Sequence, residues 1–214
     1  MTIHGVIFDL DGTVADTLPD IAAAVNVGLE SFGLPPRPTD EVRLMVGEGL
    51  PTLCRRAIEG HPHVPLEELV RRVTTHYAGH RLDQTVPFAG VPELLDGLAA
   101  RGIPIAILTN KPHEHTVPMV EALFGRWRFA AVEGYRREDR RKPDPRTALE
   151  IVEAMHARPA DVLMVGDSKT DMLTALNAGL VPVGVAWGYR PRAELLAAGA
   201  RHLLDRPEDL LAIL

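Results

Sequence analysis

The sequence predicts an α/β fold, a doubly wound parallel sheet interrupted after its first strand by an all-helical insertion. Three observations carry this. From Pro87 onward, apolar runs of strand length alternate with amphipathic helical stretches, the pattern of repeated β–α units. The strand runs, such as Ile103 to Leu108 and Val162 to Val165, are almost continuously apolar, as strands buried on both faces should be. Residues 15–84 contain helical periodicity and no strand pattern. The expected organisation is a core domain of residues 1–14 and 85–214, with a helical domain of residues 15–84 inserted.

The first strand is read from Ile3 to Phe8, apolar and rich in β-branched and aromatic residues, and Gly12 breaks it soon after. Asp16 or Thr17 caps a first helix whose stripe is Leu18, Ile21, Val25, Leu29 and Phe32. Gly33 ends it, and Pro35, Pro36 and Pro38 forbid its continuation. Further helices are expected from Thr39 towards Val46, from Leu50 to Ile58 and from Leu66 to about His80, separated by Gly47-Glu48-Gly49 and by the loop His61 to Pro65. The core then resumes with a helix from Val91 to Arg101 closed by Gly102, a strand from Ile103 to Leu108, and a helix from Glu114 to Phe124. A short strand near Phe129 to Val132, a helix from Pro145 to about His156 and a strand from Val162 to Val165 follow. Asp171 to Ala178 reads as a helix ended by Gly179, Val181 to Ala186 as a strand, His202 to Leu204 as an edge strand, and Pro207 as the start of a last helix.

Composition narrows the function. A formal net charge of −6 argues against a nucleic-acid partner, because phosphate backbones attract basic surfaces. No apolar run is long enough to span a membrane, and no signal-peptide pattern opens the chain, so a cytoplasmic location is expected. The single cysteine, Cys54, excludes an internal disulfide and cysteine-based metal motifs. All but three of the 23 basic residues are arginine, which draws attention to Lys111, Lys142 and Lys169.

The chemistry lies at the carboxyl ends of the strands, where open parallel sheets bind ligands. Asp9-Leu10-Asp11-Gly12-Thr13 places two carboxylates two residues apart after the first strand, on the same side by its period of two. Two carboxylates that close repel unless a cation or a proton intervenes. The second core strand leads into Thr109-Asn110-Lys111, the fourth into Gly166-Asp167-Ser168-Lys169-Thr170-Asp171, and Arg141-Lys142-Pro143-Asp144-Pro145 opens a helix between them. Such a crevice holds hard oxygen ligands suited to Mg²⁺ rather than zinc, beside a hydroxyl and an ammonium suited to a phosphoryl group.

In this order the four segments resemble the motifs of the haloacid dehalogenase (HAD) superfamily of phosphohydrolases. The likeness runs through Asp9-x-Asp11-Gly12-Thr13, Thr109, Lys142-Pro143 and Gly166-Asp167 with Asp171, and an insertion after the first motif resembles the helical cap class. Within the superfamily, Asp16 to Ile21, Val46 to Gly49, Leu108 to Pro112, Lys142 to Pro145 and Trp187-Gly188-Tyr189 are most similar to phosphoglycolate phosphatases. The resemblance implies a Mg²⁺-dependent phosphatase in which Asp9 is the nucleophile and Asp11 the general acid and base. It implies that Asp9, Asp167 and the backbone carbonyl of Asp11 hold the metal, and that Thr109, Asn110 and Lys142 bind the phosphoryl group. Asp171 is left either to reach the metal through water or to pin Lys142, and Ser168 is a supporting group, as Asn110 also is on a second reading. The implied substrate is a small phosphorylated metabolite, 2-phosphoglycolate first, and the implied assembly a monomer or homodimer. Cap residues Arg43, Glu48, Arg55 and Arg56 are the candidates for reading the leaving group.

Same-fold alternatives are a pyrophosphatase, a nucleotidase and a sugar-phosphate phosphatase or mutase. Asp11 counts against a dehalogenase, and the absence of lysine from residues 15–84 excludes a phosphonate hydrolase using a Schiff base there. A phosphoacceptor signalling domain is the remote alternative; it requires an aspartate after the third core strand, where Glu133-Gly134 stands. His76 and His80 share a helix face, but Tyr77 stands where a zincin has its catalytic glutamate, so they read as surface histidines. The run Arg136 to Arg141 reads as a solvated stretch before Lys142.

Overall fold

The computed structural model describes residues 2–214. Six parallel strands form the main sheet: β1 (Gly5–Phe8), β4 (Ile105–Pro112), β5 (Phe129–Tyr135), β6 (Val162–Gly166), β7 (Val181–Val185) and β8 (His202–Leu204). Their order is β5-β4-β1-β6-β7-β8. Chain order therefore reverses between β1 and β6, the topological switch point where a doubly wound sheet opens its ligand crevice. In register, Ile7 stands beside Ala106 and Met164. These three belong to one buried cluster with Ala148, Ile151 and Val152 of helix α7 (Arg146–Ala154) and with Ala175 and Ala178 of helix α8 (Lys169–Ala178). Helices α5 (Val91–Ala100), α6 (His113–Phe124) and α9 (Arg192–Ala197) complete the α/β unit.

The chain divides into two compact units, one formed by Met1–Ala15 and Pro87–Leu214, the other by Asp16–Val86. The two connections carry the short strands β2 (Ala15–Asp16) and β3 (Val86–Pro87), which pair as a two-stranded sheet. The second unit is helical: α1 (Leu18–Glu30), α2 (Thr39–Met45), α3 (Leu50–Ala57) and α4 (Leu66–His80). Gly28 lets α1 and α4 approach closely, since a Cβ there would lie 2.7 Å from Val73 Cγ2. Beyond α1, Gly33 takes φ +70° and the Leu34 amide donates back to the Leu29 carbonyl, a left-handed closure of the helix end. Buried Asp20 accepts hydrogen bonds from the amides of Gln84 and Thr85 and from the Thr85 hydroxyl, which ties the start of α1 to the end of the unit.

Several elements differ from the sequence expectation. β4 runs on to Pro112, so Thr109, Asn110 and Lys111 lie inside a strand, held by pairing with β5 as far as Tyr135. β1 begins at Gly5 rather than Ile3. α8 starts two residues early because Ser168 and Asp171 form a capping box at its N-terminus. The last segment, Pro207–Ala212, is a 3₁₀ helix, and α9 was not anticipated. Among the described residues, no helix is long and apolar enough to cross a membrane.

Candidate active site

Asp9 follows β1 directly, and its amide donates to the Val165 carbonyl of β6, so the carboxylate stands at the switch point. Asp167 follows β6 on the other side of that point. Asp171 lies in the first turn of α8. All three are buried, and one carboxylate oxygen from each lies within 4.8 Å of the other two. Lys142 reaches into this cluster with its side chain 2% exposed; Nζ is 2.9 Å from Asp9 Oδ1 and 2.6 Å from Asp171 Oδ1. The second oxygen of Asp171 accepts from the Ser168 amide at 3.0 Å and from its hydroxyl at 2.6 Å. Asp171 is therefore oriented by the helix cap and in turn holds Lys142.

Asn110 is turned towards the backbone of Lys142. Its Nδ2 donates to the Lys142 carbonyl at 3.1 Å, and the Lys142 amide donates to its Oδ1 at 2.8 Å. These paired bonds fix the peptide that carries the lysine. Thr109 is buried in β4, where its hydroxyl accepts from the Lys111 amide at 3.3 Å.

Asp167 is held by protein dipoles. The Tyr189 amide donates to Oδ2 at 2.7 Å, and the Thr13 hydroxyl lies 3.5 Å from Oδ1. The segment that brings Tyr189 here is anchored by Trp187, whose indole N–H donates to the Thr13 carbonyl at 2.9 Å. Gly188 must be glycine: a Cβ would sit 2.2 Å from Asp167 Cβ and 2.5 Å from the Gly12 carbonyl oxygen. Among the described residues no cationic side chain forms an ion pair with Asp167.

Burial dominates the electrostatics. Asp9 is pushed up to about 6 by desolvation, against the pull of Lys142 and with a further push from Asp171. Desolvation also raises Asp167 well above the ordinary carboxylate range, helped by Asp171 and Asp9. Burial pulls the Lys142 ammonium down, but Asp171 and Asp9 outweigh it and hold the group above the usual lysine value. Three buried carboxylates thus face one ammonium. The residual negative charge, entirely on hard oxygens, fits a divalent cation such as Mg²⁺.

These shifts fix a pH dependence. A carboxyl raised from 3.8 to about 6 on folding contributes stability that is present below about pH 4 and lost as the pH rises through about 6. Asp167 has the same sign. The metal-free protein is expected to lose stability across this window, and Mg²⁺, which favours the ionised carboxylates, to restore it. The rise in Tm on adding Mg²⁺ should be larger at about pH 7.5 than at about pH 5. A rise that is equal at both, or larger in acid, would contradict the assignment.

Asp11 is not one of the buried triad, though its charge adds to the upward push on Asp9. Both its carboxylate oxygens accept from Lys111 Nζ, at 2.8 and 2.9 Å, with the two side chains 12% and 5% exposed. The sequence flagged Lys111 through the scarcity of lysine, but nothing in spacing alone joined it to Asp11, a hundred residues away. Arg43, Glu48, Arg55 and Arg56 all belong to the helical unit. There Arg43 pairs with Asp40 and Arg56 with Glu48, at exposed positions.

A family profile described as haloacid dehalogenase-like hydrolase matches residues 6–185, a span that holds Asp9, Asp11, Thr109, Lys111, Lys142, Asp167 and Asp171. The chain belongs to that family. Its sequence is 34% identical to phosphoglycolate phosphatase 1 of Pseudomonas aeruginosa, over 96% of this chain and 78% of that protein. It is 36% identical to the phosphoglycolate phosphatase of Caulobacter vibrioides, over 98% of this chain and 91% of the relative. The crystal structure of a predicted phosphoglycolate phosphatase from Haemophilus somnus superposes with a TM-score of 0.92 at 27% identity, covering 100% of this chain and 98% of that one. This HAD-like protein is an enzyme, a phosphoric monoester hydrolase.

Proposed function

We propose that this HAD-like phosphatase hydrolyses a small phosphate monoester through an aspartyl-phosphate on Asp9, with Mg²⁺ in the site and 2-phosphoglycolate as the preferred substrate. The observation that carries the reading is the convergence of Asp9, Asp167, Asp171 and Lys142 at the switch point, with Asp11 two residues beyond the nucleophile.

Asp9 attacks phosphorus and displaces the leaving oxygen, which splits the reaction into two steps. Asp11 gives that oxygen a proton, then takes one from the water that releases phosphate. Lys142 and the Thr109 hydroxyl bind the phosphoryl oxygens as charge redistributes in the transition state. Supporting this, Asp171 holds the Lys142 ammonium and the Asn110 amide brackets its peptide. Asp9, Asp167 and the backbone carbonyl of Asp11 are the residues that would hold Mg²⁺, which screens the charge repulsion between nucleophile and phosphate. Arg43, Glu48, Arg55 and Arg56 of the helical unit, residues 16–86, are the candidates for reading the leaving group. A guanidinium there binds a carboxylate through paired hydrogen bonds, which favours glycolate as leaving group.

The test is kcat/KM across 2-phosphoglycolate, a hexose phosphate, a nucleoside monophosphate and pyrophosphate, with Mg²⁺ and in excess chelator. Phosphoglycolate is expected to lead, and chelation to remove activity. A competitor ahead by about tenfold, or about 1.4 kcal/mol in the transition state, overturns the substrate. Full activity in chelator overturns the metal.

A further inference from the structure

We propose that Lys111, a residue of the α/β unit, is a further cation that selects an anionic leaving group, beside the candidate arginines of the helical unit. The inference rests on the reading of Asp11 as proton donor and deepens it by assigning a specificity-determining residue. A donor to the leaving oxygen must lie within hydrogen-bond distance of it, about 2.6–3.2 Å. Lys111 Nζ lies one further hydrogen bond away, at 2.8 and 2.9 Å from the two Asp11 oxygens. The ammonium is thus about 5–6 Å or less from the leaving oxygen, one donor–acceptor distance beyond Asp11. A carboxylate attached to the carbon next to that oxygen reaches this distance; a neutral alcohol places no charge there.

The environment makes this cation discriminating. The Lys111 side chain is 5% exposed, so its attraction for a substrate carboxylate is little screened by water. Arg43 and Arg56 are paired at exposed positions, 42% and 36%, where water screens their charge. Lys142 is engaged by Asp9 and Asp171 on the phosphoryl side. A substrate carboxylate at Lys111 takes over the ammonium from Asp11, which takes up a proton from water and presents it to the leaving oxygen. The phosphate ester of a hydroxy acid engages that exchange, and the ester of an uncharged alcohol does not.

The experiment compares 2-phosphoglycolate with 2-hydroxyethyl phosphate, the same two-carbon chain with a hydroxymethyl group in place of the carboxylate, in the wild type and in Lys111→Gln, Lys111→Met and Lys111→Arg. The reading is the ratio of the two kcat/KM values, which cancels any general damage to Asp11 or to the fold. The wild type is expected to favour the acid by about a hundredfold or more, as sites built around a charged or hydrogen-bonded group do. Lys111→Gln and Lys111→Met should each shrink that ratio by about thirtyfold, and Lys111→Arg should keep most of it. Inhibition by glycolate, which involves no turnover, should weaken in parallel. Equal losses on both substrates with the ratio intact would show that Lys111 only holds Asp11, and would overturn the proposal alone. A wild type that does not favour the acid would overturn the substrate reading together with it.

Discussion

Asp9→Asn is expected to lower turnover by about a thousandfold or more, at least about 4 kcal/mol of transition-state stabilisation, while the chain folds normally. The amide is the same size as the carboxylate but is a poor nucleophile, and its oxygen is a weaker ligand for a divalent cation. Its effect on stability should be opposite to its effect on rate. Asp9 is a buried carboxylate pushed up to about 6, so making it neutral removes part of the crowding among Asp9, Asp167 and Asp171. The metal-free variant should therefore be at least as stable as the wild type at neutral pH. Steady-state kinetics and thermal denaturation on one preparation check both halves. A variant retaining a tenth of the wild-type rate would remove Asp9 from the nucleophilic role.

The second large effect is predicted for Lys142→Met. This removes the ammonium that faces both Asp9 and Asp171 and leaves two buried carboxylates without their shared counter-charge. Breaking a buried pair from one side costs about 3–5 kcal/mol, which for a chain of this length lowers Tm by roughly 10 °C. The loss should shrink towards about pH 5, where Asp9, pushed up to about 6 by burial, accepts a proton instead. Activity should fall as steeply as in Asp9→Asn, because Lys142 also binds the phosphoryl oxygens in the proposed reaction. A Tm within about 2 °C of the wild type at neutral pH would mean that the carboxylates find other partners.

The fold was legible in the sequence because its signals are local. Continuous apolar runs announced β4 and β6, and three- and four-residue spacing announced α1 and α4. What was missed is either short or dependent on distant partners. α9 has six residues, too few to establish a helical period. β4 extends through Thr109, Asn110 and Lys111 because β5 pairs with it, and no property of those polar residues marks them as strand. The residues of the candidate site were visible as strand-end polar groups, but their pairings were not. Whether Asp171 faces Lys142, whether Asn110 brackets the Lys142 peptide, and whether Lys111 meets Asp11 depend on strand order and side-chain direction. The Ser168–Asp171 cap, by contrast, had a local sequence signature, a serine three residues before an acid at a helix start.

The central claim is a covalent intermediate on Asp9, and its most direct test is chemical trapping. The wild-type enzyme is mixed with Mg²⁺ and 2-phosphoglycolate, quenched within the first turnover and reduced with borohydride, which converts an acyl phosphate of aspartate into homoserine. Peptide mapping by mass spectrometry then locates the change. The proposed mechanism predicts homoserine at position 9, dependent on substrate and absent from Asp9→Asn. Conversion at Asp11 or Asp167 instead, or turnover with no adduct on the peptide that contains Asp9, would contradict it.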